Sequence, residues 1–126
     1  MAEKYFLTLR IEGLPKRPNN QSGGWRGRAA ETRIWKRKIS EQMAIKRISL
    51  PIAPLQKVHM TLTRHSSQEP DYDGLVSSFK STLDALQECK ILANDKMSNF
   101  VGGKPDYFWK RAPIRGGFIE VTITEG

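Results

Sequence analysis

Between Asp73 and Glu88 the chain carries the feature that most limits its fold. Leu75, Val76, Phe79, Leu83 and Leu86 fall within one sector about 100° wide when the segment is wound at about 100° per residue. Asp73, Ser77, Lys80 and Asp84 form a separate polar stripe. A helix this short gains little from propensity alone, so its apolar stripe must pack against another element. The rest of the chain offers a sheet. Tyr5 to Ile11 alternates with period two, Tyr5, Leu7, Leu9 and Ile11 facing one way and Phe6, Thr8 and Arg10 the other. Lys57 to Arg64 repeats the pattern with Val58, Met60 and Leu62, and Gly117 to Thr124 does so with Ile119, Val121 and Ile123.

The connections complete the outline. Gly13 to Gly27, rich in Gly, Pro and Asn, reads as a long surface loop. Ala29 to Arg47 reads as a helix with Trp35, Ile39 and Met43 on its buried side, ended by the prolines between Ser49 and Pro54. Arg64 to Pro70 reads as a polar loop, Ile91 to Ala93 as a short apolar piece and Asn94-Asp95 as a turn. Phe100 to Arg111 mixes glycines with aromatics and carries no clear period. The expectation is a single α+β domain over 1–126, with a mixed sheet and two main helices packed against it.

Charge points to a partner. Residues 1–66 hold 14 Lys and Arg against 4 acids, a net of +10, whereas residues 67–126 hold 7 against 9, a net of −2. A front half this basic suits a polyanion, most often nucleic acid. Lys16, Arg17, Arg26 and Arg28, in or beside the long loop, are placed to reach phosphates, and Trp25 either stacks on a base or folds back onto the core. No apolar run spans a bilayer and the N-terminus lacks a signal-peptide core, so a cytoplasmic setting without membrane attachment is expected. The single Cys89 excludes an internal disulfide and reads as a semi-buried thiol at a helix end. His59 reads as an exposed strand residue; His65, beside the acidic stretch, is of more interest.

In this basic chain, Glu69, Asp71 and Asp73 lie within five residues, and Asp95 follows the second helix. Phosphodiester hydrolysis needs a nucleophilic water and relief of charge on the phosphate. Mg²⁺ or Mn²⁺ supplies both and prefers carboxylate oxygens. Asp71 and Asp73 would form one side of such a site, Asp95 would close it, and a nearby lysine would steady the phosphate. The structural reading of the same residues is simpler. Asp71 or Asp73 caps a helix, Lys80 and Asp84 form an i, i+4 ion pair, and Asn94-Asp95 makes a turn.

This arrangement resembles the RusA family of Holliday-junction resolvases, whose pattern runs D-x-D-N-L-x-K-x-x-x-D-A-L, then a short spacer, then D-D. Asp71-Tyr72-Asp73-Gly74-Leu75 is similar to its start, Lys80 to Leu86 to its middle and Asn94-Asp95 to its end. The early strand, the loop with Pro18-Asn19 and the basic helix resemble the family's N-terminal half. Gly74 replaces an asparagine, Asn94 replaces an acid, and Asp73 and Lys80 stand seven positions apart against four in the pattern. Three extra residues turn a helix by roughly −60° and lengthen it by about 4.5 Å, which would keep Lys80 on the face of Asp73 and pointing back towards it.

The resemblance implies a Mg²⁺-dependent endonuclease, with Mn²⁺ as a substitute, that resolves four-way junctions by paired cuts. It also implies a homodimer and no small-molecule cofactor. Asp71, Asp73 and Asp95 would ligate the metal, Lys80 would contact the phosphate, and Asp84 and Asn94 would support them. Arg26, Arg28, Arg33, Lys36 and Arg37 would hold the DNA backbone. The rival expectations are a non-catalytic binder of branched DNA on the same fold, an interaction module for an acidic protein, and an RNA nuclease.

Overall fold

The computed structural model describes residues 4–16 and 24–126, with the side chains of the first long helix described from Gly27 onward. The elements run β1 (Phe6–Glu12), α1 (Gly24–Ile45), β2 (Val58–Ser66), α2 (Tyr72–Ser78), α3 (Lys80–Glu88), β3 (Asp106–Arg111) and β4 (Phe118–Glu125). Two single turns of 3₁₀ helix, Met97–Asn99 and Val101–Gly103, lie before β3. The four described strands form one mixed sheet in the order β1-β4-β2-β3. β4 is antiparallel to both β1 and β2, while β3 lies parallel to β2 at the edge. The fold is thus the expected α+β domain with a mixed sheet.

Alternation decides which face is covered. Leu7, Ile123 and Met60 stand in one cross-strand row, and Leu9, Val121 and Leu62 in the next. These side chains are buried together with Trp35, Ile39 and Met43 of α1 and with Leu75, Phe79, Leu83 and Leu86 of α2 and α3. The periodic readings of all these segments therefore hold. Tyr107 and Trp109 of β3 stand in register with Leu62 and Arg64, so they edge the same core. The opposite face carries Phe6, Thr8, Arg10, His59 and Phe108, all exposed.

Four boundaries differ from expectation. α1 begins at Gly24, inside the stretch read as loop. Extending an existing helix adds a hydrogen bond for each residue fixed, which offsets the glycine penalty of roughly 1 kcal/mol at Gly24 and Gly27. β2 runs through His65 and Ser66, read as loop, because Arg64, His65 and Ser66 pair with Trp109, Lys110 and Arg111. β3 itself comes from the aperiodic stretch. The amphipathic segment is broken in two at Phe79, whose φ/ψ of −86°/0° leaves the helical range. Its N–H donates to Val76 O three residues back, the tighter 3₁₀ bond, and its carbonyl then starts α3 by accepting from Leu83 N. α2 leans on β3 while α3 packs along α1, so the break lets one apolar stripe serve two partners. Arg17 and the Pro18-Asn19 pair lie outside the described residues, as do the side chains of Trp25 and Arg26. No helix among the described residues is long and apolar enough to cross a membrane.

Candidate functional site

The acidic stretch gathers over the β3 edge of the sheet. Asp71 is the N-cap of α2: its backbone is extended and its Oδ1 accepts from Gly74 N at 2.8 Å. Asp73 sits exposed in the first turn. The capping half of the structural reading is therefore correct for Asp71. Its second carboxylate oxygen, and both of Asp73, are in no hydrogen bond or ion pair among the described residues.

Lys80 opens α3, and its Nζ lies 3.5 Å from Asp95 Oδ2. This corrects the expectation that Lys80 points back along the helix towards Asp73. The non-helical backbone at Phe79 ends the steady turn of about 100° per residue on which that expectation rested. Asp84 is likewise not beside Lys80. It accepts from Arg28 Nε and Nη2 at 3.2 and 3.1 Å, fastening α1 to α3. The i, i+4 pair of Lys80 with Asp84 is absent among the described residues, and so is the support of Lys80 by Asp84.

Asp95 is delivered by a tied loop. α3 ends with Lys90 in the left-handed region at φ 65°. Ile91 N donates to Leu86 O at 3.0 Å, the six-residue bond of a Schellman cap. Ile91 and Leu92 then bury themselves, bridging to Leu55. Asn94 Oδ1 accepts from Lys96 N at 3.0 Å, so Asn94 shapes the turn that carries Asp95. Buried Asn99 holds this turn from below, donating to Asn94 O at 2.8 Å and accepting from Lys57 N at 2.9 Å.

Two groups at the site had no signal in the sequence. Tyr107 is half-buried, its ring centroid 6.0 Å from that of Phe79. Burial, with the nearby phenol of Tyr72 and carboxylate of Asp95, pushes its hydroxyl up to about 12. Tyr107 thus lies near enough to Tyr72 and Asp95 to feel both. Tyr72 in turn accepts from Lys104 Nζ at 3.4 Å. The second group is Arg64, which lines an open pocket of about 440 Å³ with Pro70, Asp71, Gly74 and Ser78. Its Nη1 donates to Pro15 O at 2.8 Å, and burial lowers its pKa.

Three hard carboxylate donors suit Mg²⁺ or Mn²⁺ by chemistry, and each acid keeps an oxygen outside the contacts found. As the side chains stand, no three His, Cys, Asp or Glu residues among those described are gathered into one cation-holding group.

The expected DNA-contacting residues divide by their partners. Lys16 and Arg33 are exposed, and the Lys16 backbone N–H donates to Glu31 Oε1 at 3.1 Å. Lys36 and Arg37 lie 3.9 Å from Glu88 and Glu41. His59 is exposed as expected. His65 contacts Glu120 and stacks on Phe118 at 4.1 Å, on the face away from the helices, so it does not enter the acidic site. Cys89, half-buried at the end of α3, is the semi-buried thiol expected; burial raises its pKa and Ser40 Oγ lies 3.7 Å away. In comparisons with known proteins, no family model and no curated protein matches the chain.

Proposed function

We propose that the chain is a cytoplasmic, metal-dependent endodeoxyribonuclease acting on branched DNA, and that it resolves four-way junctions as a homodimer. The observation that carries this reading is the meeting of Lys80 with Asp95 beside Tyr107, at the edge where α2 presents Asp71 and Asp73. Cations and carboxylates in alternation over one strand suit a phosphodiester, whose negative oxygens need positive contacts while its phosphorus meets a nucleophile. Asp71, Asp73 and Asp95 would hold Mg²⁺, which when bound supplies charge relief and an activated water. The chain's own residues do the rest. Lys80 donates to a non-bridging oxygen of the phosphate, Phe79 and Tyr107 form an aromatic pair beside that edge, and Asn99 fixes the Asp95 turn. Two cuts on opposed strands need two such sites related by a twofold axis, which gives the dimer its place in the mechanism.

A second reading has its own observation. Lys80 and Asp95 neutralise one another as they stand, an arrangement that also suits a protein that binds branched DNA without cutting it. The test is incubation of a labelled four-way junction and a matched linear duplex with Mg²⁺, Mn²⁺ or EDTA. Symmetric nicks in the junction alone, lost in EDTA and in Asp73→Asn, are expected. Full cleavage by Asp73→Asn overturns the metal assignment, and junction binding without nicks in any metal favours the non-cutting reading.

A further inference from the structure

We propose that Arg64, which lines the pocket beside Asp71, is the phosphate anchor of this site and holds a non-bridging oxygen pair of a nucleic-acid phosphodiester. The inference deepens the endonuclease reading and rests on it for the choice of substrate. Arg64 continues the core-facing row Val58, Met60, Leu62 of β2, in register with Ile119 and Trp109. A cation serving solubility belongs on the open face, whereas this one takes its stem through an apolar row and emerges in a pocket.

Its hydrogen bonding is incomplete there. A guanidinium has five N–H donors, and among the described residues one bond, from Nη1 to Pro15 O, is found. Two other cations near the acids stand against carboxylates in this structure, Lys80 against Asp95 and Arg28 against Asp84. Arg64 has no salt bridge among the described residues. Asp71 and Gly74 line the same pocket, so a phosphate held there by the planar fork would sit near the Asp71 carboxylate. A purely structural role, clamping the Pro15 loop, would use the same bond and leave the remaining donors to solvent.

The test is an NMR titration of the full chain with the dinucleotide dTpdT, and with its uncharged methylphosphonate analogue. The signals followed are the Arg64 Nε–H and the Gly74 amide. Saturable shifts of both with dTpdT, and none with the analogue, are expected. Arg64→Gln should weaken dTpdT binding by roughly ten- to hundred-fold, the loss of a charged hydrogen bond, and Arg64→Lys should restore part of it. A Gly74 shift with Arg64 unmoved, equal shifts with the analogue, or equal affinity in Arg64→Gln would each overturn the anchor. If Arg64→Gln fails to fold, the wild-type comparison of dTpdT with its analogue decides alone. Binding at Arg64 without junction cleavage would leave the anchor standing and remove the resolvase reading. Junction cleavage with an unresponsive Arg64 would do the reverse.

Discussion

Tyr107 can be followed by titration, because its phenol is the group at the site with a large displacement, to about 12. An ordinary tyrosine in the unfolded chain ionises near 10. The native state therefore keeps this proton where the unfolded state releases it, so stability is intact below pH 10 and falls as pH rises from about 10 towards 12. Tyr5, raised by burial, acts in the same direction, so the comparison must be made between variants. In urea unfolding across that range, Tyr107→Phe should show a shallower decline than the wild type. Equal declines would mean that the hydroxyl is solvated and not buried beside Tyr72 and Asp95. Residue by residue, the acids were legible because carboxylates beside a helix start and in an Asn-Asp turn carry local signals, and Asp71 is indeed a cap. Tyr107, Asn99 and Arg64 were not legible. Each acquires its role from a partner far along the chain: Phe79 for Tyr107, Lys57 for Asn99 and Pro15 for Arg64.

Among the elements, those with a period in sequence were legible. β1, β2, β4 and the stripes of α1 and α3 follow alternation or the 3.6-residue turn, since each buries its apolar residues on one side. β3 was hidden because it is an edge strand with its burial divided between exposed and half-buried positions, so apolar and polar residues do not separate. The break at Phe79 was hidden for a different reason. Phe79 is wholly buried and fits the apolar stripe, and only its two packing partners, β3 on one side and α1 on the other, make a straight helix unsuitable. The far end of α3 gives a prediction at this scale. Lys90 occupies the left-handed position after the helix, at φ 65°, where a side chain costs roughly 1 kcal/mol and glycine does not. Lys90→Gly should raise the unfolding free energy by about 0.5–1 kcal/mol in urea melts, leaving the turn that holds Asp95 intact. A loss of stability would show that Lys90 contributes through its side chain.

At the scale of the molecule, the basic first half and the acidic site are joined physically by the Arg28–Asp84 pair, which sets α1 against α3 one turn beyond Lys80. If the proposed DNA contact is right, the exposed cations of α1, Arg33, Lys36 and Arg37, are the ones to test for it. Their present partners are weak. Lys36 and Arg37 stand 3.9 Å from Glu88 and Glu41 with both sides solvated, and exposed pairs of this kind are worth about 0–1 kcal/mol. A phosphate backbone can displace those acids at little cost, while Arg33 has none to displace among the described residues. Each cation that meets a phosphate releases condensed counterions and adds about 0.9 to the slope of log K against log salt on duplex DNA. Replacing Arg33, Lys36 and Arg37 together by Ala should lower that slope by about 2–3, to the same degree for a junction and for a duplex. Thermal stability should change little, since the three side chains are exposed. Fluorescence anisotropy from low to moderate salt measures the slope directly. An unchanged slope would remove α1 from the interface and leave the DNA path to the residues around Arg64 and Lys104. A reduced slope with undiminished preference for the junction would place affinity in α1 and leave shape recognition to the paired sites of a dimer.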